Sequence, residues 1–265
     1  MNRLGEILAH KEEEIRLLLP REDKLRHAAA ERNDFRSLES ALRGTDDGLA
    51  VIAEVKKASP SAGVIAEEFD PVATAMAYAA GGAAGISVLT DERFFQGSLA
   101  YVSQVRAAVG LPVLRKDFLL HEAQIYESVV AGADAILLIV AALPQDRLIR
   151  LLELAHSYQL EVLVEVHDVV ELDRALETEA RMIGINNRNL QTFEVDLQTT
   201  RRLSGGVDEG LLLISESGIG TEEDADIVRT WGADAILVGE ALMRSGDASG
   251  ALAALRRAGS RAAAM

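Results

Sequence analysis

Charged residues stand where several short apolar runs stop, and that placement suggests proton chemistry. Glu54 and Lys56 close the run Val51–Val55, Lys116 closes Val113–Lys116, and Glu165 closes Glu161–Glu165. Asn186, Asn187 and Arg188 end the run Met182–Asn186, and Ser215, Glu216 and Ser217 end Leu211–Ser215. Taken singly, a lysine or glutamate at a strand end reads as a solvated or ion-paired rim residue. The set says more. Side chains alternate along a strand, so Glu54 and Lys56 share a face. If that face opens into a common mouth, two lysines and two glutamates converge there, and burial tunes them for proton transfer.

The last two runs suggest an anion site. Ser217-Gly218-Ile219-Gly220 follows the seventh run, and Gly239-Glu240 follows the eighth. Small residues let backbone N–H groups approach a phosphate, and a following helix presents its N-terminus. Either glycine alone fits a tight strand-to-helix turn equally well, whereas the two together favour phosphate. Metal and nucleotide chemistry find little support. The histidines (His10, His27, His121, His156, His167) are scattered without ligand spacing, there is no cysteine, and neither GxGxxG nor GxxxxGK[ST] occurs. His167 lies within reach of the mouth and is read as non-catalytic. No metal and no cofactor are expected.

The elements that must position these residues are legible as a rhythm. Apolar runs at Val51–Val55, Gly85–Leu89, Val113–Lys116, Ala133–Ile139, Glu161–Glu165, Met182–Asn186, Leu211–Ser215 and Ala235–Val238 alternate with helical stretches. Those stretches include Pro71–Ala80, Ser98–Ala108, Glu122–Ala131, Gln145–His156, Val169–Thr178, Thr221–Thr230 and Ala248–Arg257. Near-continuous apolar runs suit parallel strands covered on both faces. The segment GADAILLIV at Gly132 is echoed by GADAILVGE at Gly232, which favours closure into a (β/α)8 TIM barrel over an open doubly wound sheet. Residues 1–48 differ: they predict one helix broken at Pro20 and a second from Asp23 to Leu42. With too few apolar residues for a core of their own, they are expected to pack on the barrel as an extension of one 1–265 domain and to cap its mouth.

Composition narrows the class. The chain has 265 residues, 49% hydrophobic and 26% charged, with a formal charge of −15. Such a surface repels nucleic acid and anionic membranes, so neither partner is expected, and an anionic substrate must be drawn by a local basic site. The start, MNRLGEILAHKEEEIRLLL, is charged throughout and lacks the apolar core of a secretory signal. A cytoplasmic enzyme, monomeric or a weak homodimer, is expected.

Seven segments, IAEVKKASPSAG, VLTDERFFQGS, PVLRKDFLL, VLVEVHD, IGINNRNLQTF, ISESGI and ILVGEALMR, resemble the indole-3-glycerol-phosphate synthase family, in its order and at its strand positions. The resemblance implies a cofactor-free carboxy-lyase of tryptophan biosynthesis. Its substrate is 1-(2-carboxyphenylamino)-1-deoxyribulose 5-phosphate, and its products are indole-3-glycerol phosphate, carbon dioxide and water. It implies that Lys116 protonates the substrate carbonyl and that Glu165 transfers protons. Lys56 holds the substrate carboxylate or serves as acid in the dehydration, and Glu54 holds a lysine in place. Asn186, Arg188, Glu216 and Ser217 orient substrate. Ser59, Gly218, Gly239 and the backbone near Glu240 cradle phosphate, while Phe95, Phe118, Leu137 and Leu190 form the wall for the aromatic ring. Glu240 is a departure, since a small hydroxyl residue would more naturally meet a phosphate. A Schiff base from lysine is a less favoured route. Phosphoribosyl-anthranilate isomerase, which is expected to use a cysteine base, does not fit a chain without cysteine. A catalytically silent phosphosugar-binding barrel would need the glycines but not Glu54, Lys56, Lys116 and Glu165 together.

Overall fold

The computed structural model describes residues 3–44, 48–190 and 192–257. Residues 1, 2 and 45–47 of the expected extension, Gln191 of the IGINNRNLQTF segment, and 258–265 of the expected domain lie outside the described residues.

Eight strands form a closed parallel barrel: β1 (Ala50–Val55), β2 (Gly85–Leu89), β3 (Val113–Lys116), β4 (Ala135–Ile139), β5 (Glu161–Val166), β6 (Met182–Asn186), β7 (Leu212–Glu216) and β8 (Ala235–Val238). Each strand pairs with its neighbours in chain order, and β1 closes the ring against β8, Ala50 opposite Ala235 and Ala53 opposite Val238. The barrel is therefore the predicted one, and the strand bounds differ by at most two residues. The largest difference is at β4, which begins at Ala135 because Ala133 N–H closes the preceding helix on the Ser128 carbonyl.

Alternation along the strands creates two apolar layers. Ala50, Ile52, Leu114, Leu137, Leu163, Met182, Ile214 and Leu237 fill the interior. Val51, Ala53 and Val55 face a second cluster beneath the surrounding helices, and Ile136, Leu138, Val162 and Val164 face a third. Continuing the interior parity by one step, or by two along β6 past Gly184, places Glu54, Lys116, Glu165, Asn186 and Glu216 at the upper, C-terminal ends of their strands. Helices start where polar caps demand it. Asp70 accepts from the N–H groups of Val72 and Ala73, Asp168 from that of Glu171, and Thr221 closes a reciprocal cap with Asp224.

The extension comprises α1 (Arg3–Leu18), a 3-10 turn at Leu19–Arg21 containing Pro20, α2 (Glu22–Ala30) and α3 (Leu38–Arg43). The expected second stretch, Asp23 to Leu42, is thus two helices separated by a non-helical segment. The break has a physical cause: Arg32 and Arg36 leave helical geometry to reach the lower end of the barrel. There Arg36 donates to the carbonyls of Val109 (2.7 Å) and Leu111 (2.8 Å). Arg32 donates to Asp134 (2.7 Å), and Ser37 then caps α3. Asp134 and Asp234, the aspartates of the repeated GADAIL, do the same work. Each accepts from the first or second N–H of the strand beside it, Val113 at 3.0 Å and Leu213 at 2.8 Å. Among the described residues no helix is long and apolar enough to cross a membrane.

Candidate active site

The upper strand ends surround a cavity of about 410 Å3. On one side Phe95 and Phe118, with ring centroids 6.4 Å apart, join Leu137 and Leu190 in an apolar wall. Leu4 and Ile7 of α1 also line this cavity. On the other side lie Ser59, Ser217, Gly218, Gly239 and Glu240, so the residues expected to meet phosphate and those expected to meet an aromatic ring share one space. Ser59 belongs to a two-residue hairpin, Ala58–Ser59 against Gly63–Val64, and its hydroxyl accepts from the Ala62 N–H at 3.1 Å.

The charged residues meet at the floor between these walls. Lys56 Nζ lies 2.5 Å from Glu54, and Lys116 Nζ lies 3.4 Å from Glu165 and in contact with Glu216. All of the expected site residues line the cavity except Glu216, which is buried beneath Lys116 and reaches the space through it. Room for these carboxylates depends on absent side chains. A Cβ at Gly239 would lie 2.2 Å from a Glu54 oxygen, and one at Gly184 would lie 2.2 Å from a Glu216 oxygen. Gly239 is expected to serve a phosphate cradle, yet its backbone position also admits Glu54. Gly184 has no counterpart in the sequence reading, because a glycine inside an apolar run carries no sign of what fills its space.

Burial and proximity divide the titration of this cluster. Burial alone would lower the Lys116 pKa, but the Glu216, Glu165 and Glu54 carboxylates outweigh it and raise the ammonium well above its ordinary range. Burial likewise opposes ionisation of Glu54, and Lys56 and Lys116 overcome it, so the carboxyl is lowered. The remaining two carboxylates separate. Against the cost of burial, Lys116 and His167 bring Glu165 down to about 2, whereas burial and the field of Glu165 push Glu216 up to about 7. One oxygen of Glu216 is buried without a hydrogen-bond donor. The site therefore holds a fixed carboxylate, a proton-sharing carboxyl and an ammonium in contact, the components of general acid–base catalysis.

The side expected to meet phosphate is polar in a different way. Asn186 accepts from the Arg188 N–H at 3.0 Å, and the Arg188 guanidinium donates to the Phe193 carbonyl at 3.2 Å. Glu240, the departure noted above, turns its carboxylate toward arginines: Arg244 donates to it at 3.1 Å and Arg188 stands 4.0 Å away. Its side chain is thereby occupied while its backbone remains at the cavity edge.

Two groups given no supporting role in the sequence analysis, Lys11 and His167, stand against the site. Lys11 of α1 is buried with its ammonium 2.8 Å from each of Glu14, Asp91 and Asp117. Asp91 caps the short helix Glu92–Phe95 that carries Phe95, and Asp117 accepts from the Phe118 N–H at 2.8 Å. The extension thus fastens both aromatic residues of the wall. Burial raises the cost of ionising Asp117, but Lys11 and Arg115 bring it down to about 2. The other group is His167, which faces Glu165 across 3.3 Å. Among the described residues no group of three or more His, Asp or Glu side chains is arranged to hold a metal ion.

Comparison with known proteins agrees with this geometry. The family model described as Indole-3-glycerol phosphate synthase matches residues 4–255. Indole-3-glycerol phosphate synthase of Chlorobium phaeovibrioides is 49% identical over 249 residues, covering 93% of this chain and 96% of that protein. The protein of the same name from a Roseiflexus species is 50% identical over 257 residues, covering 93% and 95%. Among solved structures, a thiamine phosphate pyrophosphorylase from Pyrococcus furiosus superposes with a TM-score of 0.63 at 18% identity, over 83% of this chain and 98% of that one. That last likeness speaks for the barrel alone. With nearly its whole described length matched, the chain belongs to the indole-3-glycerol phosphate synthase family.

Proposed function

We infer that this chain closes the indole ring of 1-(2-carboxyphenylamino)-1-deoxyribulose 5-phosphate, releasing carbon dioxide and water and yielding indole-3-glycerol phosphate. The observation that carries the assignment of roles is the contact of Lys116 with two buried carboxylates of opposite titration, beside an aromatic slot. Phosphate at the Ser59, Gly218, Gly239 and Glu240 side and the aromatic ring at the Phe95 and Phe118 side fold the substrate back on itself. The ring carbon bearing the carboxylate attacks the ketone, whose oxygen takes a proton from Lys116. Carbon dioxide then departs and its bonding pair restores aromaticity. In the dehydration the new hydroxyl leaves as water with a proton from an acid, and Glu165 removes the proton whose loss forms the double bond.

The raised pKa of Lys116 has a consequence for this sequence. Its proton is held by surrounding carboxylates, so donation requires their field to weaken. Glu216, titrating near neutrality, weakens it by accepting a proton. Lys56, paired with Glu54 at the opposite side, is placed to meet the substrate carboxylate or to serve as acid in the later step. Asn186, Arg188 and Ser217 orient the sugar. The barrel and its extension are read as one domain acting in the cytoplasm as a monomer or weak homodimer.

Fluorescence-detected indole formation by the wild type and by Lys116→Ala tests the reading. Wild-type turnover with a loss of about 10^2–10^4-fold in kcat in the variant, substrate still binding, is the expected result. Tight binding without turnover by the wild type would identify a silent phosphosugar-binding barrel instead.

A further inference from the structure

His167 is a partly buried titratable group that the ring-closing steps above do not use, and its surroundings are unusual for an imidazole. It sits one position past the end of β5. Its Nε2 faces Glu165 Oε1 at 3.3 Å, within ion-pair distance but outside hydrogen-bond geometry, and its Nδ1 is hydrogen-bonded to Glu171 Oε2 at 2.9 Å. The same Glu171 oxygen accepts the backbone N–H of His167 at 2.8 Å, fixing the ring in place. Glu171 is in turn held in the first turn of the helix Val169–Leu176, which Asp168 caps.

A neutral imidazole carries one N–H and one lone pair. With a carboxylate oxygen opposite each nitrogen, either neutral tautomer sets a lone pair against an anion. Only the doubly protonated ring offers a donor to both. We propose that His167 is a permanent imidazolium and the positioning residue for Glu165, holding one carboxylate oxygen so that the other faces Lys116 and the substrate. The proposal rests on the reading of Glu165 as the proton acceptor.

The charges around the cluster support it. Glu165 on β5, Glu216 on β7, Glu54 on β1 and Glu171 on the following helix are the acidic groups, and Lys116 on β3 and Lys56 beyond β1 are the other cations. Without a third cation, three buried carboxylates would share two ammonium groups. His167 settles which of the coupled pair stays ionised: beside the imidazolium it is Glu165, leaving the shared proton to Glu216. Although burial alone would lower it, the His167 pKa rises to about 10 through its contacts with Glu165 and Glu171.

The test combines kinetics with spectroscopy. In the wild type, the side-chain 15N spectrum of labelled histidine should show the His167 imidazole doubly protonated at pH 8.5, identified by its disappearance in His167→Gln. In His167→Gln, Glu165 loses its fixed cation and its pKa rises. The acid limb of the kcat profile should therefore move to higher pH by at least one unit, and kcat at pH 7, where Glu165 stays ionised, should fall about tenfold because the carboxylate is no longer held in position, with KM changing less than threefold. His167→Arg, which restores the cation, should return the acid limb toward its original position, and Glu171→Gln should shift it by a smaller amount. An unchanged acid limb in His167→Gln, or a loss that His167→Arg does not reverse, overturns the proposal. If His167→Gln does not fold, the wild-type spectrum decides, since five neutral imidazoles at pH 8.5 would overturn it. A wild type that makes no indole would count against the ring-closing activity and not against the imidazolium, which the spectrum reads independently.

Discussion

At the lower end of the barrel Asp134 is fully buried and its oxygens accept from Arg32, Arg36, Arg106 and Val113. At the mouth Glu216 is equally buried, yet one of its oxygens faces no donor. The lower carboxylate has all the donors it can use, and it joins α1–α3 to the barrel through arginines of the extension. The upper carboxylate competes with Glu165 and Glu54 for two lysines. A buried charge with complete partners fastens a fold, whereas one with too few partners keeps a proton in play. The same barrel uses one arrangement at each end.

This contrast can be broken at either end. Asp134→Asn removes the buried one of the two carboxylates that Arg32 and Arg106 share, leaving them the exposed Asp34, and a loss of about 3 kcal/mol in unfolding free energy is expected. The kcat and KM of the folded protein should be unchanged, and a large kinetic effect would show the two ends to be coupled. Glu216→Gln should do the reverse. A carboxyl whose pKa is raised on folding contributes stability that is present below its unfolded value and lost as pH rises through about 7. Thermal unfolding should therefore find the variant more stable than wild type at pH 8, by roughly 1–3 kcal/mol, and little different at pH 5, while turnover falls sharply. Equal stability at both pH values would remove the claim that burial and Glu165 raise the Glu216 pKa. The smallest effect is expected from Leu4→Ala, which trims the part of α1 that lines the cavity. A two- to tenfold rise in KM, at most about 1.4 kcal/mol, with kcat kept, would assign α1 to the mouth. An unchanged KM would confine α1 to a supporting role.

How far the sequence foretold these two ends differs for physical reasons. The strands were legible because their apolar runs are buried on both faces, and the charged residues at the mouth because charge interrupts those runs. Glu54, Lys56, Lys116 and Glu165 announce themselves in this way. His167 did not, since its meaning depends on Glu171 one helical turn into the next element, a partner that no spacing rule for metals or nucleophiles seeks. Gly184 and Gly239 work by leaving room, and an absent side chain does not name its beneficiary. The lower end was least legible. Arg32 and Arg36 lie in a stretch of helical composition, but their partners are carbonyls and Asp134 far along the chain, and those distant bonds override local propensity. Lys11 was hidden similarly, as one charge among many on a helix that otherwise reads as solvated.

The pairing of β1 with β8 bears on how the protein is made. As the chain emerges from its N-terminus, β1 finds β2 early but must wait for Ala235–Val238, nearly the whole length of the barrel later, to cover its other edge. Until then the growing sheet has two open edges, each able to recruit a foreign strand, and such long-range closure is intrinsically slow. The strand that ends this exposure leads directly into Gly239, which admits Glu54. A nascent barrel therefore lacks the finished setting of the Glu54–Lys56 pair, and ring closure of the sheet and completion of that pocket coincide.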